Sequence, residues 1–130
     1  MKKFSTAWIS SKKSRKQRKY RANAPNHIKR DLVSSHLSKE LRKVHGKRSL
    51  SPRKGDTVKI MRGSFKKKSG KIARINVKNE KIFIEGIQKT KKDGSKISIP
   101  FHPSNLLITE LNTDDKKRLK TKNKSNEKNK

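Results

Sequence analysis

The chain has 130 residues, with 39 Lys and Arg against 10 Asp and Glu, a formal net charge of +29. A compact monomer of this size repels itself at such a charge, so a polyanionic partner is expected, nucleic acid first and an anionic membrane surface second. The absence of cysteine excludes a disulfide framework and a thiolate metal site and fits a reducing cytosol, while no apolar run approaches the roughly 18 residues of a membrane span.

Apolar residues are unevenly spread. Residues 55–111 hold 17 Leu, Ile, Val or Phe in 57 positions, and the other 73 residues hold only 10. Basic residues outnumber acidic ones 18 to 2 over residues 1–54, 13 to 5 over 55–111 and 8 to 3 over 112–130. One central segment can bury a core, and the flanks are too polar and charged to do so alone. The expected organisation is a basic arm over 1–23, short helices and a linker over 24–54, a small barrel over 55–111, and a basic helix and tail over 112–130.

Taken in chain order, the start carries only the short apolar patch Ala7-Trp8-Ile9, which is no secretory core. The run Lys12 to Arg21 reads as an arm without its own core, able to coil into a helix on a partner. Pro25 can open a first short helix, with Ile28, Leu32 and Val33 on one side. Ser38 can cap a second, with Glu40 in its first turn, Leu41 and Val44 as its apolar edge and Gly46 ending it. Arg48 to Lys54 reads as a linker, where Pro52 stops any helix. Five short strands follow: Thr57–Met61, Lys71–Val77, Lys81–Glu85, Lys96–Ile99 and Asn105–Leu111. The second is expected to set Ala73, Ile75 and Val77 on one face. Asp93-Gly94 is a hairpin turn signal. Five strands in under sixty residues predict a mainly β fold, a small, partly open barrel. Thr113-Asp114-Asp115 reads as a helix N-terminus, and the Lys/Asn-rich tail beyond Leu119 as disordered when free.

The most informative stretch is KGDTVKIMRGSFKKKSGKI, Lys54 to Ile72. It reads as strand, glycine-bounded loop, strand, with Lys66, Lys67, Lys68 and Lys71 at one tip and Arg62 nearby. Several ammonium groups on one turn suit phosphate, because each phosphate contact releases counterions. A solvated basic hairpin loop is the plainer alternative.

This stretch resembles a KOW motif, found in ribosomal proteins and transcription elongation factors. Its flanks include HLSKELR and RKGD before it and HPSN and DDKKRL after it, with MRGSFK inside. Together these are similar, over about Ser14 to Leu119, to the universal large-subunit ribosomal protein family numbered twenty-four in bacteria and archaea and twenty-six in eukaryotes, in its archaeal form. The resemblance implies an SH3-like barrel that binds large-subunit ribosomal RNA near its 5′ end, acts early in subunit assembly and sits near the exit of the nascent-chain tunnel. It implies ribosomal RNA, neighbouring ribosomal proteins and factors at the tunnel exit as partners, and a cytoplasmic location. The family pattern has a glycine where this chain has Lys67.

Three groups of RNA-contacting residues are expected. The arm supplies Lys12, Lys13, Arg15, Lys16, Arg18, Lys19, Tyr20 and Arg21, joined by His27 and Arg30 on the first short helix. Arg48, Arg53, Lys54 and Arg62 form the second group with Lys66, Lys67, Lys68 and Lys71. The third is His102, Ser104 and Asn105 with Lys91 and Lys92, whose polar groups suit phosphates or ribose hydroxyls. Tyr20 and Trp8 are candidates for stacking on unpaired bases. His27, His36, His45 and His102 lack zinc-ligand spacing, and His102 reads as a hydrogen-bond donor where the chain enters a strand. Asp56, beside Gly55, reads as a carboxylate bonding nearby backbone N–H groups. No nucleophile–base pair and no Walker-type loop is present, so no enzymatic activity and no cofactor are expected. The competing readings are an elongation-factor KOW module that docks on a polymerase, and a membrane-active basic protein, for which the helical segments are too short and poor in apolar residues.

Overall fold

The computed structural model describes residues 4–115 together with Arg118 and Leu119. Helix α1 spans Ser14–Asn23 and α2 spans Asn26–Leu32. Strand β1 is Ser35–Leu37, α3 is Lys39–His45 and β2 is Ser49–Leu50. The remaining strands are β3 Thr57–Ile60, β4 Ser69–Asn76, β5 Lys81–Thr90, β6 Lys96–Phe101 and β7 Leu106–Glu110, with a 3₁₀ turn at Pro103–Asn105.

The seven strands form one mixed sheet in the order β2-β1-β7-β3-β4-β5-β6. All neighbours are antiparallel except β1 and β7, which run parallel with His36 opposite Leu107 and Leu37 opposite Ile108. The sheet packs around a single cluster: Val33, Leu37, Val58, Ile60, Ile72, Ile82, Ile84, Ile87, Phe101, Leu106 and Ile108. The result is a small, mainly β, barrel-like fold. Seven strands replace the expected five. The two extra ones, β1 and β2, come from the stretch read as helix and linker. Three-residue and two-residue strands carry too little alternation to be read from a pattern.

The second short helix forms as its residues dictate. The Ser38 hydroxyl accepts the Leu41 N–H at 3.3 Å, and Gly46 closes the helix in the left-handed conformation, φ 61°, with its N–H on the Arg42 carbonyl. Leu41 packs on the core, but Val44 is 75% exposed and is no part of the expected apolar edge. In the first helix, Val33 lies just past the last turn and is buried there.

Three register shifts bend the sheet, between Thr57 and Val58, Ile72 and Arg74, and Phe83 and Gln88. Bulges of this kind increase local twist and let a short sheet curl. They also bring Ile72 into the core ahead of the expected face of β4: Ile72 is buried, while Ala73, Ile75 and Val77 are half-buried and alternate with exposed Arg74, Asn76 and Lys78. The shift in β5 carries the strand past Glu85 to Thr90, with Ile87 in the core. Its turn forms at Asp93-Gly94 as expected. The Asp93 carboxylate accepts the Ser95 hydroxyl at 2.6 Å and the Ser95 N–H at 2.9 Å. These two bonds, the hydroxyl's first, hold its pKa below the usual carboxylate range.

Asp56 is the polar centre of the fold. It is fully buried and accepts the backbone N–H of Arg53 at 2.7 Å and of Asn112 at 2.9 Å. Both its oxygens also meet the Arg118 guanidinium, at 2.6 and 2.5 Å. Arg118 donates in turn to the Asn112 and Ser51 carbonyls. Gly55 precedes it at φ 88°, a left-handed conformation that favours glycine, and a Cβ there would press the Asn112 amide, 3.0 Å away, to give by a few tenths of an ångström. The expected backbone role of Asp56 is present, and the arginine is an addition to it. The expected helix after Thr113 and the tail beyond Leu119 fall largely outside the described residues.

A buried pair that loses one partner leaves an uncompensated charge and costs about 3–5 kcal/mol. Asp56→Ala is expected to lower the stability of the free chain by that amount in urea denaturation. Asp56→Ala combined with Arg118→Met is expected to recover part of the loss. A single mutant within about 1 kcal/mol of the parent would show that the pair does not hold the fold.

Candidate nucleic-acid interface

The arm is a helix whose charges conflict with one another. Between Ser14 and Asn23 stand Arg15, Lys16, Arg18, Lys19 and Arg21, with no acid in the helix and no side-chain cap. Arg15 faces Arg18 and Lys19, and Arg18 faces Arg21, at the three- and four-residue spacings where like charges repel. Arg15 and Lys16 also sit at the positive end of the helix dipole. Such a helix is relieved by an anion along its length.

The segment before α1 folds back along it. Trp8 stacks on Tyr20 with ring centroids 4.4 Å apart, and Phe4 meets Tyr20 at 5.0 Å. The Gln17 amide donates to the Ser11 carbonyl at 2.9 Å. Trp8 and Tyr20, expected as platforms for bases, therefore spend ring faces on each other. Arg21 pairs with Glu80 at 3.3 Å in the β4–β5 turn. Lys29, a residue with no distinguishing signal in its sequence neighbourhood, is buried and donates to the carbonyls of Ala22 and Lys78, both at 3.3 Å. These contacts tie α1 and α2 to the sheet and leave Lys12, Lys13, Arg15, Lys16, Arg18 and Lys19 exposed. His27 and Arg30 on α2 are exposed too.

The loop between β3 and β4 is closed by the Lys67 N–H on the Ile60 carbonyl, 2.9 Å, and the Ile60 N–H on the Lys68 carbonyl, 2.8 Å. Phe65 anchors it from below, edge-on to Phe101 at 6.1 Å, with the Lys68 ammonium 5.4 Å over the Phe65 ring. Arg62, Lys66, Lys67, Lys68 and Lys71 are exposed. Lys67 has φ 73°. The position where the resemblance leads one to expect glycine is thus left-handed, and the lysine adopts that conformation at a steric cost.

The expected second group is spread along β3, with Lys71 opposite Thr57. Arg53 and Lys54 precede β3 and Arg62 follows it, so its four residues hold them roughly 13 Å apart. Arg48 is exposed beside β2. The Arg53 guanidinium is paired with Asp115 at 2.6 Å. Loop and hairpin come together instead: Phe65, Lys91 and Lys92 line one apolar groove with Ile97 and Ile99. The 3₁₀ turn is close as well, since the Met61 N–H donates to the Asn105 carbonyl at 2.8 Å. His102 caps that turn. Its Nδ1 accepts the Ser104 N–H at 3.3 Å and lies 2.8 Å from the Ser104 hydroxyl. His102 thus accepts at Nδ1 within its own turn, which leaves Nε2 for the donor role expected of this ring.

Among the described residues no group of three His, Asp or Glu could hold a metal ion, and no helix is long and apolar enough to cross a membrane.

Left-handed geometry costs a side chain about 1–2 kcal/mol, part of which glycine returns through its freer unfolded state. Lys67→Gly is expected to stabilise the free protein by about 0.5–1 kcal/mol in denaturant titration. A destabilised variant would mean that the loop does not hold this conformation.

A basic helical arm and a basic, glycine-bounded loop are thus both carried on a small β core. The family model that describes the eukaryotic L26 ribosomal proteins and their archaeal L24 counterparts matches residues 11–124, the arm and the whole barrel included, and the chain belongs to this family of large-subunit ribosomal proteins.

Proposed function

We propose that this chain is a structural, non-catalytic protein that binds large-subunit ribosomal RNA, near its 5′ end, and acts early in subunit assembly. In this reading it lies near the polypeptide exit tunnel of cytoplasmic ribosomes, beside other ribosomal proteins and within reach of factors at the exit. The assembly stage and the position follow from the family resemblance. The RNA contact rests on α1, where five cations in ten residues have no acid among them. A helix that short is marginal alone, and one this repulsive is sensible against phosphate.

The contacts divide by chemistry. Arginines on α1 can fork onto phosphate oxygens, while lysines on the β3–β4 loop act as point charges. Ser104 and the Nε2 N–H of His102 offer short donors to phosphate or ribose at the 3₁₀ turn. An elongation-factor KOW module that docks on a polymerase has no need of this arm, and the family match includes the arm from residue 11.

Replacing Lys66, Lys67 and Lys68 with Gln is expected to weaken RNA binding across roughly 50 to 200 mM salt. It should also flatten the log–log salt slope by about 0.7–0.9 for each phosphate that the loop no longer neutralises. An unchanged slope would remove this loop from the interface. Removing residues 1–23 should flatten it further, and retention of full affinity by that variant would overturn the reading of α1.

A further inference from the structure

We infer that the cleft between α2, β4 and the segment leading into β3 is a site for one unstacked nucleotide, its base inserted and its phosphates on the rim. This rests on the RNA-binding reading above and goes beyond it, because surface cations alone need no cavity.

The cleft measures about 780 Å³, within the range of small-ligand sites. Its inner wall is aliphatic, made by Val33, Leu50, Pro52, Ile75 and Val77. Val33 and Pro52 are buried and the other three half-buried, so the wall is already built. Arg30, Arg53 and Lys54 stand along it. Arg30 and Lys54 are exposed, and the Arg53 fork is held by its 2.6 Å bond to Asp115. Arg118 lines the cleft as well, fixed on Asp56, and its Nε is buried with no hydrogen-bond partner among the described residues.

The combination decides the ligand class. A phosphate alone would use the cations and leave the aliphatic wall exposed to water. An apolar side chain would use the wall and leave the arginines idle. A nucleotide has a flat, largely apolar base and an anionic phosphate within one residue's length, and single-stranded bases are what proteins take out of RNA. Asp31, exposed beside Arg30, adds an acceptor. It favours a base edge that donates N–H groups.

The cleft joins four pieces of chain, from α2, the Leu50–Lys54 stretch, β4 with its following turn, and the C-terminal segment. The Asp56–Arg118 pair and the Arg53–Asp115 pair hold two of those pieces in place. The site is therefore preorganised by the bonds that hold the fold.

The probe is a short RNA hairpin with one bulged 2-aminopurine, compared with the same hairpin without the bulge. The full chain is expected to bind the bulged RNA about tenfold more tightly. The 2-aminopurine should brighten on binding, because the base leaves its neighbours for a wall with no aromatic residue. Val77→Phe, which fills the cleft without removing a charge, should abolish both the preference and the brightening. It should leave the salt slope and the affinity for the unbulged hairpin unchanged, and that unchanged affinity also reports that the variant is folded. Leu50→Phe is the second filling variant and should act in the same way. Equal affinity for the two hairpins, with no brightening, overturns the nucleotide site and leaves the RNA-binding reading standing. Failure to bind either hairpin counts against both. Free adenosine monophosphate binding as tightly as the bulged hairpin would also overturn it, by making the occupant a free nucleotide rather than a residue of RNA.

Discussion

The Asp56 carboxylate is the point on which the chain closes. Its four hydrogen bonds bring together the residues before β3, the residues after β7 and Arg118 near the C-terminus. They act beside the β3–β7 pairing and the Arg53–Asp115 pair, which also join the two ends of the barrel segment. The burial of this charge is tolerable because every oxygen has a partner, two backbone N–H groups and an arginine fork. Such a pair adds little net stability over an apolar pair of similar size. What it adds is position: it fixes where the linker and the C-terminal segment lie against the sheet.

The same logic governs four other acids. Glu80 holds Arg21, and Asp115 holds Arg53. Asp93 is committed to Ser95, and Glu110 accepts the Thr57 hydroxyl at 3.0 Å. The exposed pairs contribute little energy each, but most of them link segments that are far apart in sequence. With only 10 acids for 39 cations, those spent on such links cannot neutralise the outer surface. The field of α1 and of the β3–β4 loop is therefore left unopposed, which is the condition for attracting a polyanion.

Much of this was legible in the sequence, where local chemistry decides. Ser38 and Gly46 bound a helix, Asp93-Gly94 turns a hairpin, and the alternation of Val58 with Ile60 and of Ile82 with Ile84 marks buried faces. The strands β1 and β2 were not legible, because a strand of two or three residues exists only through its partner. Ser35 and Leu37 are buried in a strand that pairs with β7, at the far end of the barrel segment, and they have no periodicity of their own. The bulges were hidden for a related reason. Ile72 and Ala73 are equally plausible core residues until pairing with β5 chooses between them. In the candidate site the sign of the charge was plain, but its distribution was not. Nothing local distinguishes Lys29, buried on two carbonyls, from the exposed lysines of the arm, and nothing near Arg118 points to Asp56.

Lys67 shows how the two levels interact. A glycine there would take the left-handed turn without strain, and the chain instead holds a lysine at φ 73°. The turn persists because its neighbours over-determine it: Ile60 bonds to both Lys67 and Lys68, and Phe65 is seated on Phe101. The strain is thus carried by the barrel, and the loop gains a third consecutive cation. In a protein free in water that exchange is unfavourable twice, in backbone energy and in repulsion among three adjacent ammonium groups. On the RNA-binding reading proposed above, phosphates against the loop would offset both terms, since each added cation releases a counterion. The backbone conformation at this one residue is therefore a feature that the RNA-binding reading accounts for and that a protein free in water does not.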